Sequence, residues 1–292
     1  MLLASIAGLV LLLGVSIGAS VWVVKRRLDA LPPKAKKRLL KRKLNDVFVS
    51  LEQRGWIPRT PAFDRNYLSY YPALAQLEAG HPAIREECLA LLDHKERLTD
   101  VSVLGGSYTK AGIHTIRWKT FVFKSGDFLE ENCARCPRTA ALLREIPGLY
   151  TAFFSVLDPH QVIVPHWGYY KGILRYHLGV VIPYNNADEA CWLRVNADPY
   201  LDAQHDKKNS QRDTSAIVKG EVYHWHEGEG IVFDDNYLHD AANGSDQVRV
   251  VLWLDLKRPL PLPFDLFNRA VGWIVRRDES MQKIRRDAIV YD

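Results

Sequence analysis

Cysteine is scarce in this 292-residue sequence, with four residues in all, and their spacing limits what they can do. Cys133 and Cys136 form one CxxC pair, and no second pair supplies the other two ligands that a structural zinc site needs. Pro137 follows directly and is suited to the first turn of a helix. We therefore expect a reduced pair at a helix start, with a redox role as the alternative.

Charge is absent from residue 2 to residue 24, a run of 23 apolar or small residues. As a helix, this run is long enough to cross a hydrocarbon core of about 30 Å. A cleaved signal peptide would carry positive charge before the run, and only Met1 precedes it here. A single N-terminal transmembrane helix is thus favoured over a signal peptide or a buried core helix.

Acidic residues are nearly missing from the segment that follows the apolar run. Residues 25–43 contain ten of the chain's 39 Lys and Arg residues but one of its 34 acids, Asp29, which leaves 29 basic and 33 acidic residues elsewhere. Positive charge beside a membrane span marks its cytoplasmic side, so the folded part should face the cytoplasm. This basic stem is expected to bind anionic lipid headgroups, and its position beside the apolar run makes nucleic acid the poorer interpretation.

Internal repeats are also missing, and the sequence pattern changes at Gly148. Before it, helical spacing of apolar residues predicts helices that begin at Pro82 and at Pro137. After it, segments rich in β-branched and aromatic residues alternate with Gly, Asn, Asp and Pro. The predicted strands are 149–157, 160–166, 173–182, 190–195, 216–224, 229–234 and 247–256, with one more at 117–124. A mainly β fold with flanking helices follows, a β-sandwich of the jelly-roll (double-stranded β-helix) type.

Composition divides the chain into four parts. Residues 1–24 are the predicted anchor, 25–80 a basic juxtamembrane segment and linker, 81–260 the folded domain, and 261–292 an amphipathic helix and tail. Within the folded domain, residues 198–215 are polar and show no hydrophobic periodicity, as in a loop that serves as a lid.

The C-terminal part combines bulky apolar residues with arginines. Phe267, Val271 and Trp273 are apolar, and Arg269 and Arg276 lie among them. Aromatic and basic residues on one helix are compatible with a position at a membrane surface. A helix packed on the domain explains the pattern equally well, so both interpretations stay open.

Three residues in the β-rich half indicate a metal site. His177 lies inside the hydrophobic run ILRYHLGVVI, where a buried imidazole needs a partner and a metal is one answer. His239 follows an acidic turn, and Arg249 lies in the strand-like VRVVLWLDL. Together they fit a metal whose dicarboxylate chelate is held at its far end by the arginine. The alternative is that all three are hydrogen-bonded residues of the core.

Four motifs carry a resemblance to a known family: RYHLGVVIP, WLRVN, EGEGIVFDDNYLHDA and VRVVLWLDLKRP. In this order they resemble the aspartyl/asparaginyl β-hydroxylase family of Fe(II)- and 2-oxoglutarate-dependent dioxygenases. The resemblance covers about residues 80–260, which would make residues 81–260 a dioxygenase domain. It is specific, because Arg249 follows His239 by ten residues as the family requires.

The resemblance implies roles for single residues. His177 and His239 would bind Fe(II), and Gly179 occupies the position where most such oxygenases carry a carboxylate ligand. Arg249 would bind the distal carboxylate of 2-oxoglutarate, because a planar guanidinium suits a two-point contact. Arg194 in WLRVN would be a second contact to the co-substrate, and His166 in PHWG an active-site donor. Structural roles at the mouth of the barrel are the alternatives for Arg194 and His166.

The resemblance also implies a reaction, in which O₂ and 2-oxoglutarate are consumed to hydroxylate an unactivated C–H bond. The predicted anchor points to the bacterial branch that acts on acyl chains of a membrane lipid such as lipid A, in the inner (plasma) membrane. Ornithine lipids and Asp or Asn side chains of proteins are the alternative substrates, and a non-catalytic scaffold is the alternative of another class. The 198–215 insert departs from the family and leaves the substrate open, and the sequence does not indicate an oligomeric state.

Overall fold

The computed structural model describes residues 32–104, 117–198, 215–276 and 279–290. The predicted anchor at residues 2–24 and nearly all of the 198–215 insert lie outside these ranges. Within them, no helix combines the length and the apolar character that a membrane span requires. The described residues fall into two units that part between Val47 and Phe48, and the second unit holds all the strands.

The α-helices of the described ranges include those predicted at Pro82, at Pro137 and within 261–292, and add others. They are α1 (Pro33–Gln53), α2 (Leu74–Ala79), α3 (His81–Leu92), α4 (Glu130–Arg135), α5 (Pro137–Arg144), α6 (Phe264–Arg276) and α7 (Glu279–Asp287). Helices α3 and α5 each carry a proline in the first turn, where its missing N–H breaks no intrahelical hydrogen bond. Cys133 and Cys136 are buried and reduced at the junction of α4 and α5.

Two antiparallel sheets form the body of the second unit. Their strands are β1 (Thr99–Asp100), β2 (Trp118–Ser125), β3 (Asp127–Phe128), β4 (Leu149–Leu157), β5 (Gln161–His166), β6 (Ile173–Val181), β7 (Cys191–Asn196), β8 (Glu221–His224), β9 (Gly230–Phe233), β10 (Leu238–Asn243) and β11 (Arg249–Lys257). The larger sheet has the order β1-β2-β4-β11-β6-β9, with β3 beside β2, and the smaller has the order β5-β10-β7-β8.

The pairing of the strands is nested. Strand β4 pairs with β11, β5 with β10, β6 with β9 and β7 with β8, so a long antiparallel hairpin folds over itself and distributes its pairs between two sheets. This arrangement is that of a jelly roll. The prediction of a mainly β fold with flanking helices is therefore confirmed for the described residues.

Both faces of the larger sheet are buried. Successive side chains of a strand point to opposite faces, and here each of the two sets packs in its own hydrophobic cluster. On β4, Phe153 packs in the cluster between the two sheets, whereas Phe154 packs in the cluster that includes Ile84 and Leu143 of the helices. Strand β11 divides its residues in the same way. A strand covered on both faces is an uninterrupted apolar run, which explains why the sequence located β4 and β11 closely.

Residues that precede the predicted domain boundary at 81 belong to the packed unit. Phe48, Ile57 and Tyr67 are buried, although the sequence presents residues 25–80 as a juxtamembrane segment and linker. Charged residues also bind this segment to the domain. The side chain of Glu52 on α1 lies in a buried cluster with Lys171, Asp234 and Arg258, which we call the ion quartet.

The contacts in the ion quartet are short and almost completely shielded from water. Lys171 Nζ lies 2.6 Å from Asp234 Oδ2 and 3.3 Å from Glu52 Oε2. Arg258 bridges the same two carboxylates at 2.5 and 3.4 Å. Because each charge has two opposite neighbours, the quartet fixes the end of α1 to the β-sandwich.

Replacing Lys171 by methionine is expected to destabilise the fold by about 3–5 kcal/mol, because removing one partner leaves buried carboxylates undercompensated. The free energy of unfolding from urea titration measures the effect. Arg97→Met is the control: its ion pair with Glu96 is exposed, so a change of about 0–1 kcal/mol is expected. Equal losses in both variants would contradict the role given to the quartet.

Candidate functional site

Four of the predicted site residues converge on one cavity between the two sheets. His177 on β6 and Arg249 on β11 enter it from the larger sheet, and His166 on β5 and His239 on β10 enter it from the smaller one. Apart from Arg175, the remaining walls are aromatic, aliphatic or small, namely Trp118, Ser155, Ile163, Leu193, Trp225, Phe233, Ala241 and Trp253. The cavity thus brings three imidazoles and two guanidinium groups together inside largely apolar walls.

His166 and His239 are held in one tautomer by their own strands. They are cross-strand partners, with ring centroids 4.1 Å apart. His166 Nδ1 donates to the carbonyl of Val164 and His239 Nδ1 to that of Tyr237, each at 2.8 Å. A carbonyl only accepts, so the proton lies on Nδ1 and the lone pair on Nε2.

Burial keeps both rings neutral. It lowers the pKa of His166 to about 4. It also holds the pKa of His239 well below the usual range, an effect to which His166 and the positive Arg175 add. A neutral imidazole whose Nδ1–H is bound to a carbonyl is the form that binds metals, because Nε2 then carries a lone pair of fixed direction.

His177 lacks a hydrogen-bond partner for either ring nitrogen among the described residues, although it is buried. The rings of Trp225, Phe233 and Trp253 surround it at centroid distances of 5.9, 5.1 and 5.2 Å. Burial, followed by the charges of Arg175 and Arg249, holds the pKa of His177 well below its usual range. Leaving a buried polar group unsatisfied is costly, so this ring fits a site that a metal completes.

Gly179 lies on the same face of β6 as His177, and backbone fills the space in front of it. A Cβ at this position would overlap the carbonyl oxygen of His226. The Gly179 N–H donates to the carbonyl of Glu229 at 3.1 Å, and its carbonyl accepts from the N–H of Gly228 at 2.9 Å. No carboxylate side chain could stand here. In keeping with this, no group of three or more His, Cys, Asp or Glu in the described ranges is arranged as a metal site.

Alanine at position 179 is expected to destabilise the protein by about 1–3 kcal/mol, because the β6 backbone and the 226–229 turn must separate to admit the methyl group. Urea unfolding checks this value. In the matched control, Gly244→Ala, the nearest atom to the new Cβ is the Ala190 carbonyl oxygen at 3.3 Å, so a loss below about 1 kcal/mol is expected. A tolerated alanine at 179 would show that the turn leaves room for a side chain.

Arg249 is a buried cation that has no counter-ion among the described residues. Its side chain is 1% exposed, its Nε and one terminal nitrogen have no hydrogen-bond partner in the described part of the chain, and its guanidinium lies 4.5 Å over the ring of Trp225. Burial lowers the pKa of Arg249 to about 10, which still leaves it charged near neutral pH. An unpaired buried charge is costly, so the site fits an anionic ligand such as a carboxylate.

Arg194 is not brought to the cavity, in contrast to the expectation that it contacts a co-substrate. On β7 the neighbouring Leu193 faces inward and lines the cavity, so alternation turns Arg194 to the opposite face. There it forms a two-point ion pair with Asp240 of β10, at 3.0 and 2.6 Å. In this position Arg194 makes a structural contact between β7 and β10.

Arg175 lines the cavity and was not among the predicted site residues. Its guanidinium contacts Asp235 at 2.8 Å and Asp255 at 2.9 Å and lies 3.9 Å over the ring of Trp253. The sequence contained a sign of this position: Arg175 precedes His177 by two residues, so the two side chains lie on the same face of the predicted strand.

Comparison with known proteins agrees with the motifs. The model of a family described as aspartyl/asparaginyl β-hydroxylase matches residues 78–205 and 207–259. The chain is 34% identical over 203 residues to an ornithine lipid ester-linked acyl 2-hydroxylase of Rhizobium tropici, over 69% of this chain and 63% of that protein. It is 24% identical to the aspartyl/asparaginyl β-hydroxylase of Homo sapiens, over 75% of this chain and 24% of that one.

The chain thus spans less than two thirds of the length of either relative. Among solved structures, a prolyl hydroxylase from Trichoplax adhaerens in complex with a peptide fragment matches with a TM-score of 0.42 and 11% identity, over 83% of this chain and 97% of that one. So remote a likeness adds nothing to the family match, which alone covers more than half of the chain. The chain belongs to the aspartyl/asparaginyl β-hydroxylase family.

Proposed function

We propose that this protein is an Fe(II)- and 2-oxoglutarate-dependent hydroxylase that acts on an acyl chain of a membrane lipid. One observation carries the proposal: two buried groups line the same cavity as His239 and have unsatisfied nitrogens among the described residues. They are the ring of His177, with neither nitrogen bonded, and the guanidinium of Arg249, with two nitrogens unbonded. Two neutral imidazoles suit a transition metal, and an uncompensated buried cation suits the carboxylate of a co-substrate.

Each residue has a defined task in this proposal. His177 and His239 hold the iron, which supplies the activation of O₂ needed to hydroxylate an unactivated C–H bond. Arg249 binds the distal carboxylate of 2-oxoglutarate in a two-point contact. His166, paired with His239 across the sheet, supports that ring; its N–H is donated to the Val164 carbonyl, so its Nε2 accepts rather than donates a hydrogen bond. The aromatic walls exclude water from the reacting atoms.

The proposal of a lipid substrate is supported by observations outside the cavity. The R. tropici relative is named as a lipid acyl hydroxylase, and the sequence carries the charge-free run at 2–24 with the basic stem at 25–43. In the proposed organisation, 1–24 anchors the chain in the bacterial inner membrane and 25–80 is the juxtamembrane segment. Residues 81–260 form the cytoplasmic dioxygenase domain, and 261–292 form the C-terminal amphipathic part.

The proposal is tested with the purified full-length chain and Fe(II), 2-oxoglutarate and O₂. Succinate formation is followed with ornithine lipid, lipid A or an Asp-containing peptide as the substrate. In parallel, lipids of a deletion strain are compared by mass spectrometry with those of the parent. We expect lipid-dependent succinate and the loss of species heavier by one oxygen atom. Turnover of the peptide alone, with an unchanged lipid profile, would contradict the proposed lipid substrate and indicate a protein substrate.

A further inference from the structure

The outer face of α6 is apolar and exposed to solvent. Leu266, Phe267, Trp273 and Ile274 recur at helical spacing, so they form one stripe along the helix. Trp273 is 59% and Ile274 is 62% exposed, and the other two are also exposed. Soluble monomers rarely expose a continuous stripe of this kind, which marks an interaction surface.

The opposite face fixes the rotation of the helix. The Asn268 side chain is fully buried, donates to the carbonyl of Gly172 at 2.7 Å and accepts from the Tyr170 hydroxyl at 2.9 Å. Asp265 forms an ion pair with Lys257 at 2.5 Å. The polar face is therefore bound to the domain, and the apolar stripe points away from it.

Neighbouring residues enlarge the stripe and give it a positive rim. The exposed Trp56 stacks on Phe264 with ring centroids 6.3 Å apart, and the guanidinium of Arg54 lies 5.4 Å over its ring. The side chains of Arg269 and Arg276 are more than half exposed at the border of the stripe, where they pair with Asp265 at 2.7 Å and with Asp127 at 2.8 Å. Each of these carboxylates also pairs with a second cation, Lys257 or Arg285, so the rim keeps net positive charge. We call Trp56 and the exposed apolar residues of α6, with Arg269 and Arg276, the α6 surface.

We propose that the α6 surface docks on a lipid bilayer that contains anionic lipids, with its apolar residues in the boundary between headgroups and acyl chains. Aromatic and aliphatic side chains bordered by arginine match that boundary, because the rings enter the apolar layer while the guanidinium groups bind phosphate. The complementary charge of anionic headgroups favours this partner over a second copy of the chain.

The course of the chain also favours the bilayer. Phe48, the first residue of the second unit, lies beside α6, with its ring centroid 6.4 Å from that of Phe267. The basic stem ends at residue 43, five residues earlier in the sequence. The inference rests on the proposed lipid substrate and deepens it, because a docked domain would receive its acyl chain directly from the membrane.

The full-length chain in vesicles of phosphatidylcholine and phosphatidylglycerol tests the proposal. All four native cysteines are buried, so a thiol introduced by Ile274→Cys takes up an environment-sensitive fluorophore selectively. The matched control is Val218→Cys, equally exposed at 59% but outside the α6 surface. We expect a blue shift, and quenching by lipids spin-labelled near the top of the acyl chain, at position 274 and not at 218.

Three results would overturn the proposal. They are no lipid quenching at 274, equal quenching at both positions, and a lipid-independent blue shift with energy transfer between labelled copies, which would indicate self-association. A second measurement compares turnover: Ile274→Glu should lower succinate formation on vesicle lipid roughly threefold or more, whereas Val218→Glu should not. The fluorescence requires no catalysis, so docking and the proposed hydroxylase activity succeed or fail separately.

Discussion

Alanine at position 239 is expected to abolish iron binding and turnover together. The backbone of β10 and the Nδ1–H bond to Tyr237 direct His239 Nε2 into the cavity, and Gly179 offers no side chain that could replace it. The substitution removes one of the two proposed protein ligands of the iron. The loss of iron affinity should therefore exceed the roughly 10–100-fold that removal of an outer hydrogen-bond partner costs.

The measurement is iron content after anaerobic loading and desalting, with thermal unfolding as a check that the variant folds. His94→Ala is the control, because His94 is exposed and lies outside the cavity. We expect this variant to keep iron and activity. A folded His239→Ala protein that retains iron would remove His239 from the ligand set, whatever the effect on turnover.

Among the described strands of four or more residues, the one that carries His239 is the one that the sequence did not predict. Leu238–Asn243 contains no β-branched or aromatic residue, so its composition gives no strand signal. Its extended form comes from pairing with β5 on one side and β7 on the other. Local sequence patterns cannot predict a strand whose extended form depends on its neighbours, whereas the apolar composition of β4 and β11 predicts them directly.

Alternation along a strand separates the two arginines that the sequence assigned to the co-substrate. Leu193 and Val195 are both buried, which turns Arg194 between them to the other face. Arg249 shares a face of β11 with Trp253, and that face lines the cavity. The apolar neighbours of Arg194 were visible in the sequence, but which face of β7 meets the larger sheet depends on the nested pairing of all the strands.

Replacing Arg249 by methionine is expected to weaken 2-oxoglutarate binding by roughly 10²-fold or more, because truncating one partner of a buried charge pair costs about 2–5 kcal/mol. Iron binding should change little, since the imidazoles remain. Calorimetric titration of the iron-loaded protein with 2-oxoglutarate under anaerobic conditions measures the effect. Unchanged affinity would exclude Arg249 as the carboxylate partner.

The stability of the protein without ligands separates this role from a structural one. Arg249 has no counter-ion in the described structure, so Arg249→Met removes an uncompensated buried charge and should leave the free energy of unfolding unchanged or raised. Arg194→Met is the matched control. This variant leaves the buried carboxylate of Asp240 without its ion-pair partner, so we expect the free energy of unfolding to fall by about 1–3 kcal/mol and the affinity for 2-oxoglutarate to be retained. Opposite outcomes from the same substitution would show that one arginine supports the fold and the other binds the ligand.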